Sequence, residues 1–143
     1  NNEGIVKKAK VIERARASNQ ASLNTPFEIL MSLGGREQAA ICGALLAARF
    51  RKIPVIIDGF IASSAIAPLI SADKIYDHVI FSHQSADAGH SKLLSKLGKA
   101  PMFNLGMRLG EGSGAALALS IIRAALACHN GMATFAEVGL GSK

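Results

Sequence analysis

The chain has 143 residues, 50% of them hydrophobic, with 5% aromatic residues, no Trp and a formal net charge of +6. That length suits one compact domain, and a core drawn from Ala, Ile, Leu and Val suits helices packed closely on a buried parallel sheet. The uninterrupted apolar stretches around Ala44–Ala48 and Ala115–Leu119 fall far short of the roughly 18 residues a membrane span needs, so no membrane partner is expected.

The first predicted element is an amphipathic helix from about Ile5 to Ala17, with Ile5, Ala9 and Ile12 at helical spacing. Ser18 to Asn24 reads as a polar loop. Thr25-Pro26-Phe27-Glu28 then joins a capping box to proline at the first helical position, and Gly34-Gly35 ends the short helix it starts. Arg36 to Phe50 is apolar almost all round, which predicts a helix buried against a sheet and another helix or subunit. Val55-Ile56-Ile57 is a central strand stopped by Asp58-Gly59, and a helix with a kink at Pro68 covers about Ile61 to Ser71. Val79-Ile80-Phe81 is the next strand, Gly89 to Leu97 the next helix, and Met102 to Leu105 a third strand. A long helix from Ser113 to Cys128 and a tail from Met132 to Lys143 complete the order.

Strands alternating with helices predict an α/β fold: a three-layer, Rossmann-like parallel sheet with helices on both faces, here part of a larger domain. The chain begins Asn-Asn-Glu rather than with Met, as a piece of a longer protein would. The segments richest in glycine and polar residues, Asp58-Gly59, Ser82 to Gly89 and Gly106 to Gly114, all follow strands. Open α/β sheets bind ligands at that edge.

The basic residues gather in Lys7, Lys8, Lys10, Arg14 and Arg16, and again in Arg49, Arg51 and Lys52. They favour anions, but the chain has no aromatic RNA platform, zinc-finger spacing or long basic arm, so nucleic acid is not an expected partner. Cys42 and Cys128 lack metal-ligand or CxxC spacing and read as reduced, buried packing residues of a cytoplasmic protein. No secretory leader is read at the start.

Several constellations could carry chemistry. Gly110-Glu111-Gly112-Ser113-Gly114-Ala115 satisfies G-x-G-x-x-A, but it lies too far from its strand, and no second strand ending in an acid follows, which argues against a dinucleotide. The same run sets one carboxylate, Glu111, among glycines before a helix whose free N–H groups suit a phosphorylated ligand; a plain glycine turn with a helix-start acid is the competing reading. His78, His83, His90 and Asp87 match no zinc signature, so no metal is expected. The loop Gln84 to Ala88 fits either a phosphate contact through its amides and the Ser85 hydroxyl, or a helix cap made by Ser85 or Asp87. Asp58 reads as a cap for the helix directly after it, and as a single acid it argues against a magnesium-held donor.

Taken in order, Gly34-Gly35-Arg36-Glu37-Gln38-Ala39-Ala40, Pro54 to Ile61, Ser82-His83-Gln84-Ser85-Ala86-Asp87-Ala88-Gly89-His90, Leu105 to Ala118 and Met132 to Gly139 resemble the carboxy-terminal part of the nicotinate-nucleotide:dimethylbenzimidazole phosphoribosyltransferases. The resemblance implies transfer of phosphoribose from nicotinate mononucleotide to 5,6-dimethylbenzimidazole in cobalamin lower-ligand synthesis, without metal or cofactor, by a cytoplasmic homodimer. It also implies that Glu111 is the general base, that Lys8 binds phosphate, that Gly34, Gly35, Ser85 and Ala86 contact the nucleotide, and that Leu109 lies against the base beside Gly110 and Gly112. Gln84, the Asp87-Ala88 pair and Pro68 depart from the family pattern. Family members are over twice as long and build part of both substrate sites from their first half. A noncatalytic α/β dimerisation or nucleotide-binding module is the alternative.

Overall fold

The structure is a computed structural model that describes residues 2–70 and 74–140. Its elements are α1 (Asn2–Ser18), α2 (Pro26–Leu33), α3 (Arg36–Phe50), β1 (Val55–Ile57), α4 (Phe60–Ile66), β2 (Val79–Phe81), α5 (Ala88–Lys96) and α6 (Ser113–Gly131). Short 3-10 turns at Gln20–Ser22 and Ala67–Leu69 complete the order.

The predicted start of α2 forms as its sequence demands. The Thr25 hydroxyl accepts from the Glu28 N–H at 3.2 Å while the Glu28 carboxylate accepts from the Thr25 N–H at 2.9 Å, with Pro26 at the first helical position. Gly34 follows because a Cβ there would strike the Leu30 carbonyl. α3 then starts afresh, the Gly35 N–H donating to the Gln38 side chain at 3.0 Å.

β1 and β2 pair in parallel, Val55 beside Val79 and Ile57 beside Phe81. Alternation turns Val55, Ile57, Val79 and Phe81 to one face, where they meet Cys42 and Leu45 of α3, Ile66 of α4 and Leu94 of α5. Tyr76 closes this core and donates its hydroxyl proton to the Ile66 carbonyl at 2.8 Å, and burial together with Cys42 pushes its phenol up to about 12. α6 packs against β1, and its buried residues are Gly114 and Ala118. The α/β architecture and its parallel sheet therefore stand.

Several expectations need correction. The third strand is reduced to one parallel bridge, His83 to Phe103, although residues 102–107 run along β2 and its extension through Met102 N–H to Phe81 O and Ala86 N–H to Met107 O. Pro101 and Gly106 bracket too short a run for a full ladder. α1 extends through Ser18, and part of the expected loop is a 3-10 turn. α4 ends at Ile66 and tightens into the 3-10 turn containing Pro68, which lacks an N–H to continue the α-helix; the expected end at Ser71 lies outside the described residues. α3 buries only Cys42 and Leu45, and Phe50 at its last position is 91% exposed. Cys128 is exposed, not buried, because α6 has left the sheet by that turn. The tail beyond Leu140 also lies outside the described residues.

Candidate active site

Three loops converge where the strands end. A cleft of about 410 Å³ is lined by Asp58 and Gly59 after β1, His83 and Ser85 after β2, Asp87 before α5, and Arg108 to Gly112 before α6. A parallel sheet brings these together because both strands point their carboxyl ends the same way.

Glu111 stands on the rim in a left-handed backbone conformation, φ 57°, between Gly110 at φ 80° and Gly112 at φ 77°. Glycine adopts that region without penalty, whereas a glutamate there costs about 1–2 kcal/mol. Three successive left-handed residues throw the carboxylate out at the turn before α6 begins.

Asp58 fixes that turn from across the sheet. Its Oδ1 accepts the Ala115 N–H at 3.0 Å, satisfying one of the unpaired amides in the first turn of α6. This corrects the expectation that Asp58 caps the helix directly after it: α4 has no side-chain cap, and Asp58 serves a helix far along the chain instead. Gly114 lets α6 approach, since a Cβ there would overlap the His83 ring.

The two buried histidines hold opposite tautomers. Ser82 donates its hydroxyl proton to the Asp58 carbonyl at 2.7 Å, so His83 Nδ1, 3.2 Å from Ser82 Oγ, must donate. That N–H also lies 3.9 Å from the Asp58 carboxylate. His90 is the reverse: Ser85 donates its amide proton to Nδ1 at 2.8 Å, leaving Nε2–H for Ser63 Oγ at 3.0 Å. Burial and the neighbouring His83 hold the His90 pKa below its ordinary value, with Asp87 and Asp58 acting in the opposite sense.

The Ser85 loop is self-bonded. Ser85 donates its hydroxyl proton to Asp87 Oδ2 at 2.7 Å and accepts the Asp87 N–H at 3.2 Å. Asp87 occupies the N-cap position of α5 but makes no side-chain cap bond, so its carboxylate serves Ser85 and stands 3.9 Å from Arg108. Among the described residues, no group of three or more His, Cys, Asp or Glu side chains is placed to hold a metal ion.

Of the residues singled out from the sequence, Ser85, Leu109, Gly110, Glu111 and Gly112 line this one cleft, and exposed Ala86 adjoins it. Lys8 sits on α1, which buries none of its residues, and Gly34 lines a separate apolar cavity of about 310 Å³ between α2, α3 and the turn at Pro68, with Gly35 beside it. Sequence reasoning missed Arg108 and the role of Asp58. An acid ending a buried strand was the available signal for Asp58; nothing local announces a bond to Ala115.

A family model described as a phosphoribosyltransferase, DBI_PRT, matches residues 1–140. The chain belongs to this family. It is 55% identical over 143 residues to a nicotinate-nucleotide-dimethylbenzimidazole phosphoribosyltransferase of Brucella anthropi, covering 99% of this chain and 42% of the relative. It is 58% identical over 138 residues to the enzyme of that name from Novosphingobium aromaticivorans, covering 96% of this chain and 41% of the relative. The crystal structure of the phosphoribosyltransferase of that name from Thermus thermophilus superposes with a TM-score of 0.85 at 34% identity, over 99% of this chain and 42% of that one. The chain thus spans about two fifths of the length of these members of the DBI_PRT family. No helix among the described residues is long and apolar enough to cross a membrane.

Proposed function

We propose that the chain carries the catalytic glutamate of an enzyme that moves phosphoribose from nicotinate mononucleotide to 5,6-dimethylbenzimidazole, yielding α-ribazole 5′-phosphate and nicotinate. The observation that carries this reading is Glu111, held left-handed between two glycines on the rim of a cleft in a chain of this family. One ring nitrogen of the benzimidazole attacks the anomeric carbon as the bond to nicotinate breaks and nicotinate leaves with the electron pair. The other ring nitrogen loses its proton to the Glu111 carboxylate. Attack opposite the departing base turns a β-nucleotide into an α-riboside.

Roles for the remaining residues follow from chemistry. Ser85, whose own polar groups bond to His90 and Asp87, shapes the loop at Ala86, and with Gly110 and Gly112 this loop lies against the nucleotide; Leu109, 77% exposed, offers an apolar wall to the base, and Arg108 is a cation of this cleft. Lys8, Gly34 and Gly35 belong to this reading as further nucleotide contacts. Lys8 would serve a phosphate held between α1 and another part of the complete enzyme, since α1 stands exposed. A cytoplasmic homodimer completes the reading.

The test is nicotinate release from nicotinate mononucleotide, with and without dimethylbenzimidazole, by the complete protein. Base-dependent release is expected. Saturable nucleotide binding without release would instead support the noncatalytic module.

A further inference from the structure

We propose that His90 is a positioning residue for the nucleotide: its neutral ring, fixed as the Nε2–H tautomer, holds the Ser85–Ala86 loop in its binding shape by accepting the Ser85 amide proton on Nδ1. The proposal rests on the transferase reading only for the name of the nucleotide.

Three observations carry it. Ser85 is 6% exposed, so its N–H would be a buried donor without a partner if His90 did not accept it, and such orphans are costly. The ring is locked from every side, with Nε2–H spent on Ser63 of α4, one face stacked on Phe60 at 5.7 Å and its edge against His83 at 6.4 Å. Gly89 keeps that stack possible, because a Cβ there would meet the Phe60 ring at 2.7 Å.

The tautomer is therefore forced. A proton on Nδ1 would face the Ser85 N–H donor, and the loop would have to leave. The ionisable groups around the ring are His83, Asp87 and Asp58, the first favouring neutrality and the acids favouring charge, and burial decides for the neutral form. With the Ser85 hydroxyl bonded to Asp87, the loop keeps the geometry fixed by one bond from α5 and leaves Ala86 exposed toward the cleft.

The experiment separates the two ends of the ring in the complete protein. In His90→Asn the amide oxygen can take the place of Nδ1, while in His90→Gln the amide nitrogen can take the place of Nε2. Loss of the Ser85 bond in His90→Gln is expected to raise the KM for nicotinate mononucleotide roughly five- to tenfold, the worth of one neutral hydrogen bond, with the KM for dimethylbenzimidazole little changed. His90→Asn should recover most of that loss. Gln performing as well as Asn, or equal shifts in both KM values, would overturn the proposal. Nitrogen NMR of the wild-type imidazole is the arm that needs no variant: an Nε2–H ring persisting to mildly acid pH is expected, and an Nδ1–H ring would overturn it even if neither variant folds. Should the complete protein release no nicotinate, the transferase reading fails on its own; calorimetric binding of nicotinate mononucleotide to the two variants then decides the role of His90 by the same comparison.

Discussion

Glu111 occupies a backbone conformation that its side chain disfavours, and strain of that kind persists where the surroundings over-determine it. Its chemistry and its stability should therefore separate. Glu111→Gln in the complete protein is expected to lower kcat by about 10²–10⁴-fold, as loss of a general base does, with nucleotide binding retained; turnover within a few-fold of wild type removes Glu111 from catalysis. Glu111→Asn should be equally inactive yet melt no earlier than wild type, because asparagine tolerates the left-handed region better. A lowered Tm would mean that the glutamate side chain braces the turn. Ser85 tests the neighbouring loop. Ser85→Glu adds a negative charge beside Asp87 and, on the proposed reading in which this loop contacts the nucleotide, should raise the KM for the nucleotide far more than that for the base. Equal effects on the two substrates would assign the loop a structural role. His90 adds a pH term whose sign follows from its depressed pKa. The unfolded chain binds the proton more readily than the native one, so this stability is full above the unfolded value of 6.5 and is lost as pH falls below it. Thermal melts of wild type and His90→Asn across that window should converge toward acid pH.

α6 is anchored at its first turn, through Asp58 and Gly114, and mostly exposed beyond Ala118. Removing the cap with Asp58→Ala should cost about 0.5–2 kcal/mol, the usual worth of an N-cap side chain, and Asp58→Asn should restore much of it because an amide oxygen still accepts from Ala115. Denaturant unfolding measures both; an Ala variant as stable as wild type would show that water replaces the carboxylate. Gly114→Ala should be costlier for its size, about 1–3 kcal/mol, because the new methyl meets a buried ring rather than a flexible chain end. These elements also show what a sequence can and cannot say. The α2 start was legible because Thr25, Pro26 and Glu28 bond to one another within a single turn. β1 and β2 were legible because each is an unbroken run of three apolar residues, the mark of a strand in a covered parallel sheet. The edge at residues 102–107 was not, because an apolar run there pairs with β2 on one side only and breaks after a single bridge. Glu111 stood out through its flanking glycines, whereas Asp58 did not, because its partner Ala115 is set by how α6 crosses β1 and leaves no local mark.

At the scale of the molecule, the apolar residues divide between a tight core and surfaces left open. Cys42, Leu45, Ile57, Ile66, Leu69 and Phe81 pack under the sheet, while Ile5, Val11 and Ile12 on α1, Leu126 on α6 and Phe135 in the tail are exposed. Exposed apolar faces on helices that bury little of themselves are costly in water and mark surfaces that another part of an assembly covers. The chain spans about two fifths of the length of its relatives, and α1, which carries Lys8, stands outside the Glu111 cleft. A transferase must hold phosphate, ribose and base together, and correct placement of both reactants is worth about 7–11 kcal/mol of barrier in favourable cases. A site divided between these residues and the remainder of a full-length protein should lose most of its rate when the 143 residues are isolated. The isolated chain is accordingly expected to bind an apolar dye strongly and to release little nicotinate, whereas the same residues within a full-length polypeptide should bind less dye and turn over. Assaying both at equal concentration, with nicotinate mononucleotide and dimethylbenzimidazole present, decides it. Comparable turnover by the isolated chain would establish that the cleft between Asp58, Ser85 and Glu111 is a complete catalytic unit.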